Sequence, residues 1–418
     1  MKKTISKFYH LLAGDSLYRN SIFLMLSTGV GAFLGFFFWI INARLYSAEQ
    51  VGIGTTIIST MTLISSFSIL GLGNGIIRYL PTSKRKNKKI NTSFILVSLM
   101  SVLISIIYLI FLKTISPKLS FLRENIIFPL LFILFVVFNS LNVITENVFI
   151  AYRSSKFVLI KNSISGFVKL ILPIFLVALG AYSIFMSTGI AIAIAFLFGL
   201  MILMLRFNYL PKPTIDRSVV KRMIKFSLGN YVAVNLGGFP SMVLPILITN
   251  LIGAKYSAYF YIDMMIASLL YIIPTAISQS LFAEGSYSEM ELKIHLKKAM
   301  KIISLIIIPA IIVTFLFGNY ILLAFGKKYS EEGFILLKLL SISGIFYSIN
   351  AIGSVILNIK HKIKLLILLD FINASAILSL SVFLLKMNLF GVVGVGIGWI
   401  VGQGIISVIY LLFINKLL

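Results

Sequence analysis

The sequence predicts an all-α polytopic membrane protein of about twelve transmembrane helices, in two six-helix lobes related by a pseudo-two-fold axis along the membrane normal. Three observations predict it. Of 418 residues, 59% are hydrophobic and only 12% charged, with a mean hydropathy of +1.04. That is more apolar surface than a soluble core can hide, so the excess faces lipid. Apolar windows long enough to cross the hydrocarbon layer, about 20 residues each, recur along the whole chain. Finally, sliding the sequence against itself by 206 positions superposes its two halves without a gap.

The windows fall at 21–41, 51–77, 92–112, 126–151, 163–181, 184–205, 226–252, 258–283, 302–325, 333–358, 365–385 and 390–414. Each is read as a helix because every backbone amide in hydrocarbon must be bonded within its own segment. The first is full length and lacks a small-residue cleavage site, so it reads as a span rather than a signal peptide. The 206-residue shift brings Gly31 onto Gly237, Leu45 onto Leu251, Ala48 onto Ala254 and Ser98 onto Ser304. Further along it brings Ile150 onto Ile356, Lys156 onto Lys362 and Phe207 onto Phe413. An offset that aligns loops as well as spans implies duplication. Six spans per repeat give both halves one orientation, hence an axis along the membrane normal. The expected division is an N-terminal lobe over 1–207, a cytoplasmic linker over 208–225 and a C-terminal lobe over 226–418. The linker, with Pro211 and Pro213 in a polar stretch, reads as a flexible hinge.

A net charge of +25 would suggest nucleic acid in a soluble chain, but here the cations sort by topology. With both termini on one side, that side collects the N-terminal lysines, the run from Lys84 to Lys89, Arg153, Lys156, Lys161 and the linker cations. It also takes Lys293, Lys297, Lys298, Lys301, Lys360, Lys362, Lys364 and Lys416. The other side keeps Arg44, Lys113, Lys118, Arg123, Lys255, Lys327, Lys328 and Lys386. The positive-inside rule then places both termini in the cytoplasm of a cell membrane, and no nucleic-acid partner is called for. Between spans eight and nine, 289–301 alternates apolar and charged residues at helical spacing and reads as an interfacial amphipathic helix.

No cysteine is present, which excludes disulfides, thiol catalysis and thiolate metal sites. His10, His295 and His361 all fall at or between span ends, so no metal site and no cofactor is expected. The sequence lacks a nucleotide-binding loop, an HExxH zinc motif and a nucleophile elbow. No catalytic residue is assigned, and the chain is not read as an enzyme.

Ionisable residues inside spans are costly, so each is a functional candidate. Lys169 in span five suits an anionic head group, and Glu146 lies on a polar face of span four with Asn139, Asn142 and Asn147; both are candidates for the substrate cleft. Asp370 in span eleven suits coupling to a proton or cation. Asp263 joins it as a coupling candidate, read as close to the outer end of span eight, where an ionised group costs little. Arg78 and Glu284 occupy matching positions in the two repeats with opposite charge, at the cytoplasmic ends of spans two and eight. They are candidates for an inner gate, and Arg78 also for the substrate cleft. Pro240 and Pro245 in span seven remove backbone donors and mark a hinge.

Four segments carry a resemblance: "NARLYSAEQVG" from Asn42 to Gly52, "LGLGNGIIRYLP" from Leu70 to Pro81, "AYRSSKFVLIKN" from Ala151 to Asn162, and "KFSLGNY" from Lys225 to Tyr231. With them the chain resembles the polysaccharide transporter family, the O-antigen or Wzx-type flippases, of the multidrug/oligosaccharidyl-lipid/polysaccharide exporter superfamily. The resemblance implies movement of a polyprenyl-diphosphate-linked oligosaccharide from the cytoplasmic to the outer leaflet by alternating access, for surface polysaccharide synthesis. Implied partners are that lipid-linked oligosaccharide, membrane lipids and a polysaccharide polymerase or glycosyltransferases, with the chain itself a monomer. Peptidoglycan-precursor flippases typically carry arginines early in span one, and 21–42 has none there. The alternative is an ion-coupled multidrug or small-molecule extruder, although drug extruders often carry an acid in span one and 21–41 has none. A membrane scaffold that transports nothing is the third reading.

Overall fold

A computed structural model describes residues 16–287, 292–388 and 390–417. The N-terminal lysines and the acidic start of the segment 289–301 lie outside the described residues. Thirteen helices carry the fold among those described. The first seven are α1 (Ser16–Leu45), α2 (Ala48–Ser68), α3 (Leu72–Tyr79), α4 (Lys86–Ile110), α5 (Ile127–Ala151), α6 (Lys156–Phe175) and α7 (Ala181–Phe207). The remaining six are α8 (Arg217–Leu251), α9 (Ala254–Tyr287), α10 (Leu292–Leu323), α11 (Lys327–Ile359), α12 (Ile363–Lys386) and α13 (Val393–Leu417). A single turn at Leu112–Ile115 and short 3-10 segments at Pro117–Arg123 and Val177–Leu179 complete the connections.

Eleven of the described helices are long and apolar enough to cross a membrane, and α8 supplies the apolar stretch Asn235–Leu251 where the twelfth span is expected. Large side chains such as Phe175, Leu205 and Leu305 are largely exposed, the reverse of a water-soluble surface. The protein is a multi-pass membrane protein. A helix start also recurs at the repeat offset, since Ala48 of α2 and Ala254 of α9 lie 206 residues apart.

The chain forms two compact units. One comprises residues up to Asn42 with Thr60–Tyr231, and the other Ala43–Ser59 with Val232–Leu418. In the first unit, α4, α5, α6 and α7 pack around Ile90, Val97, Ile144, Val148, Phe149 and Leu203. The first helix lies along α6, where Gly166 admits the Leu34 side chain. In the second, α9, α11, α12 and α13 enclose Leu244, Phe260, Tyr271, Leu336, Leu340 and Trp399.

Three expectations change on contact with the structure. The window 51–77 is two helices rather than one, because Leu70 and Gly71 take positive φ (52° and 72°) and end α2 before α3 begins. The hydroxyl of Tyr231 donates to the Ser66 carbonyl near this break. Its counterpart α9 runs unbroken. The linker does not begin as a free hinge. Asn87, Asn91 and Thr92 of α4 bond the carbonyls of Asn208, Leu210 and Thr214 at 3.2, 3.2 and 3.3 Å. Tyr209 is buried beneath it and donates to Asn91 at 2.5 Å, and burial pushes its hydroxyl up to about 12, so it stays a donor. Finally, from Leu292 onward the amphipathic segment is continuous with span nine as α10, its Leu292, Leu296 and Ala299 buried, so it is a basic extension of a span and not a separate surface helix.

Small residues let helices touch. Along α13, Gly394, Gly398 and Gly402 follow one another at four-residue spacing and lie against Leu384, Ser381 and Ile377 of α12, so close that a Cβ would meet those atoms at 2.9, 2.4 and 2.4 Å. Gly52 of α2 is tighter still, with a Cβ there falling 1.7 Å from the Ala254 carbonyl oxygen. Gly52→Ala should therefore lower stability by about 1–3 kcal/mol, the usual range for overpacking. Gly31→Ala, whose Cβ would meet nothing within 4 Å, should be neutral. Thermal unfolding of both variants in detergent checks this, and equal melting temperatures would refute the close contact.

Candidate functional site

The polar interior of the first unit is built on α6. Lys161, in its second turn, has a fully buried side chain. Its Nζ donates to Asn142 Oδ1 at 2.9 Å, Asn162 Oδ1 at 3.0 Å and Glu146 Oε2 at 3.4 Å. Asn142 and Glu146 are one turn apart on α5 and so share a face. Asn162 passes the network on to Ser27 of α1 at 3.0 Å. On α7, Gly199 leaves room for the lysine stem, its missing Cβ lying 3.7 Å from Lys161 Cδ. Three protein acceptors around one ammonium are what a charge needs away from water.

Lys161 was assigned by sequence to the cytoplasmic connection, and the structure corrects this. The apolar window starts at 163, and a lysine just before a span is ordinarily a topology signal. The overlooked clue was the pairing of Lys161–Asn162 with Asn142 and Glu146, polar faces at the same end of consecutive spans. Glu146, placed by sequence in the cleft, is the ion-pair partner of Lys161, with about a third of its side chain exposed.

Lys169 lies two turns further along α6. Its ammonium sits over the Phe38 ring at 4.1 Å from the centroid, with Trp39 at 5.8 Å. Cation–π contact stabilises the charge without neutralising it. Beyond its first turn the helix thus carries two cations, one matched by a carboxylate and one held against aromatic faces.

The second unit differs. Asp263 is fully buried, nine residues or about 14 Å into α9, and not at its outer end as the sequence suggested. Among the described residues, neither carboxylate oxygen has a hydrogen-bond partner. They pack against the bare backbone of Gly333 on α11, where a Cβ would stand 2.8 Å away. One turn along, Tyr259 and Tyr329 stack edge to face at 5.2 Å. Asp370 on α12 is partly buried, with no ion pair among the described residues. On the facing helices, Asn350 donates to Gln403 Oε1 at 2.6 Å and accepts from Ser407 at 3.0 Å, a neutral network.

Arg78 and Glu284 are both exposed, and the Arg78 guanidinium lies 5.6 Å from the Tyr79 ring. Pro240 and Pro245 stand within α8, which continues through both. The Pro245 carbonyl accepts from Ser257 at 3.2 Å, and Thr56 bonds Thr249 at 2.6 Å. Arg44, counted by sequence only as a cation of the outer side, donates to the carbonyls of Leu323 and Ala324 at 2.6 and 2.9 Å, closing the C-terminal end of α10. Glu49 accepts from the Lys255 amide at 3.1 Å, at the start of α9, where a carboxylate is favoured. These ties bind residues 43–59 to the second unit.

The family described as polysaccharide biosynthesis protein matches residues 41–333, most of the chain. The protein belongs to this family. Among curated proteins no sequence matches. Among solved structures, this member of the polysaccharide biosynthesis family is similar to the lipid II flippase MurJ in an inward closed conformation, with 17% identity, a TM-score of 0.75, and 96% of this chain and 87% of that one covered. It is also similar to an inward-facing multidrug resistance MATE transporter of the MOP superfamily, with 14% identity, a TM-score of 0.73, and 94% and 98% covered. A third likeness is to a MOP superfamily transporter from Pyrococcus furiosus, with 16% identity, a TM-score of 0.67, and 97% and 96% covered. The fold is that of these membrane transporters.

The network around Lys161 sets up a double-mutant test. Glu146→Gln should lower stability by about 1–3 kcal/mol, less than the loss on breaking a fully buried pair, because Glu146 still meets solvent. Combining it with Lys161→Met should cost less than the two single losses together, because the ammonium that needed Glu146 is gone. Unfolding free energies of the four proteins measure the coupling, and strict additivity would show that the two charges do not act on one another.

Proposed function

We propose that this protein is a flippase that carries a polyprenyl-diphosphate-linked oligosaccharide from the cytoplasmic to the outer leaflet of the cell membrane by alternating access. The observation that carries the reading is Lys169, a cation inside a span that is held by aromatic rings and leaves its charge for an anion. A diphosphate is the anion that suits it, while the polyprenyl tail stays in lipid and the glycan follows a hydrated path. Arg78 extends the cationic surface toward the cytoplasm, and Glu146 acts through Lys161, keeping that second cation in place beside the path. Family membership and the transporter fold support the reading, as does the concentration of cations on one side, which puts both termini in the cytoplasm. Glycosyltransferases would supply the substrate, and the chain would act as a monomer of two lobes, 1–207 and 226–418, joined by 208–225.

Asp263 and Asp370 are the coupling groups on this reading. A carboxylate buried without a partner, as Asp263 is, marks the place where a proton or small cation is taken up during the cycle. Bending of α8 at Pro240 and Pro245 would accompany the exchange of states. The orphan carboxylates also suit the second reading, an ion-coupled extruder, and the same assay separates the two. Lys169→Ala should reduce export of a lipid-linked glycan by tenfold or more at unchanged expression, the order expected when one charge-assisted contact is lost. Asp263→Asn should remove the dependence of that export on an imposed ion gradient. Normal glycan export by the alanine variant, or expulsion of cationic dyes that depends on Asp263, would favour the extruder.

Arg78 and Glu284 remain the proposed latch of the inner gate. Both are exposed, and an exposed pair contributes about 0.2–1 kcal/mol, enough to bias two nearly balanced states. Removing either charge should slow transport, and the exchange Arg78→Glu with Glu284→Arg should restore part of the rate. Transport assays on the three variants decide it, and a double exchange that is slower than either single variant would eliminate the latch.

A further inference from the structure

The second unit carries a groove of about 430 Å³ between α10 and α11, reaching the end of α13. Its wall along α10 begins with Lys293 and Lys297, one turn apart, and continues through Met300 and Ser304 to Ile308. From Lys293 to Ile308 is fifteen residues, about 22 Å of helix, and from Lys297 about 17 Å. One leaflet of hydrocarbon is about 15 Å deep. The groove therefore runs from head-group level at its basic end to the middle of the membrane. Ile308, Ile345 and Leu411 line it and are about half exposed, so it opens sideways to lipid and not to water.

Two like charges one turn apart repel each other, and neither has an acidic partner among the described residues. An anion placed between them removes that repulsion. Below them the walls are aliphatic and fit a hydrocarbon chain, with Ser304 and Ser348 the polar side chains below the mouth. A phosphate at the mouth and one chain in the slot describe an anionic phospholipid of the leaflet at the basic end of the protein. Lys298 and Lys301 are also exposed on α10 but do not line the groove.

We infer that this groove is a binding site for a single anionic phospholipid, whose phosphate is held by Lys293 and Lys297 and whose acyl chain fills the space between α10 and α11. Such a lipid completes the packing of α10, whose inner face, Leu296, Ile303 and Ile307, forms one wall of the site. The inference rests on membrane embedding and not on the flippase reading.

The test uses the full-length protein in detergent, titrated with phosphatidylglycerol or with phosphatidylcholine of the same acyl chains. Bound lipid is counted by native mass spectrometry and stability followed by thermal unfolding. Wild type should retain one phosphatidylglycerol and gain stability from it, with phosphatidylcholine about tenfold weaker. Lys293→Gln with Lys297→Gln should weaken phosphatidylglycerol about tenfold or more, two cations near a phosphate being removed. Lys298→Gln with Lys301→Gln, an equal loss of charge on neighbouring faces, should leave binding intact. Ser304→Phe, which fills the slot and keeps both lysines, should abolish retention. Equal binding of the two lipids would overturn the inference, and so would equal weakening by the two lysine pairs, which would mean diffuse attraction to the helix. Displacement of phosphatidylglycerol by a stoichiometric amount of polyprenyl phosphate would overturn it as well, by making the groove part of the substrate path.

Discussion

Inside hydrocarbon a backbone amide or a charged side chain has no water to bond, so each must find a partner within the protein. Most of this chain meets the rule by uninterrupted helix, and its informative places are those where helix alone does not suffice. Between α2 and α3 the chain turns at Leu70–Gly71, and the Tyr231 hydroxyl bonds a carbonyl nearby. At Lys161 three side-chain oxygens surround one ammonium. Thr56 and Ser257 bring additional donors to the backbone around Pro245. Asp263 is one exception among the described residues, since both its carboxylate oxygens are buried without a hydrogen-bond partner. An unpartnered carboxylate is the costliest such case, because burying a charge costs far more than burying a hydroxyl or an amide.

Close packing follows from the same constraint. Lipid chains are as apolar as leucine, so burial of apolar surface alone does not hold helices together in a membrane, and contact has to be close to be worth making. The glycine stripe of α13 against α12 and the approach of Gly52 to Ala254 are such contacts. Arg44 and Glu49 add a different kind of tie, each placing a charge at the helix end of opposite partial charge, on α10 and α9 respectively. These end-to-end bonds are polar and sit near water, where they can be exchanged at low cost, whereas the glycine contacts cannot.

The spans were legible because hydropathy is a property of composition and order, although eleven of the described helices, against twelve expected, are long and apolar enough to cross a membrane. Where helices break was not. The window 51–77 is equally apolar whether or not Leu70 takes a positive φ, and a periodicity argument does not see one left-handed residue. Lys161 was hidden by its position, because the positive-inside rule absorbs any lysine beside a span, and only the geometry of α5 against α6 separates it from Lys156 five residues earlier. Asp263 was legible as an intramembrane acid but not in its isolation, since the neighbour that matters, Gly333, has no side chain to announce itself. Lys169 was found by type and position, yet the aromatic contacts that define its chemistry come from α1, more than a hundred residues away.

The duplication supplies an internal control on which charges the fold requires. At the 206-residue offset Glu146 corresponds to Ile352, Lys161 to Ile367, Asp263 to Ile57 and Asp370 to Ile164. In each case the other half holds an isoleucine at the matching place within a helix of its own. A buried ion pair is seldom more stable than the apolar residues that could replace it. An architecture that accepts isoleucine at all four matching positions does not depend on a charge at those places to form its helices. What the charges add is a difference between the halves, with a cationic interior along α6 in one and lone carboxylates on α9 and α12 in the other. On the proposed reading, an anion site in one half and a coupling site in the other need that difference, and a duplicate with identical halves could not provide it.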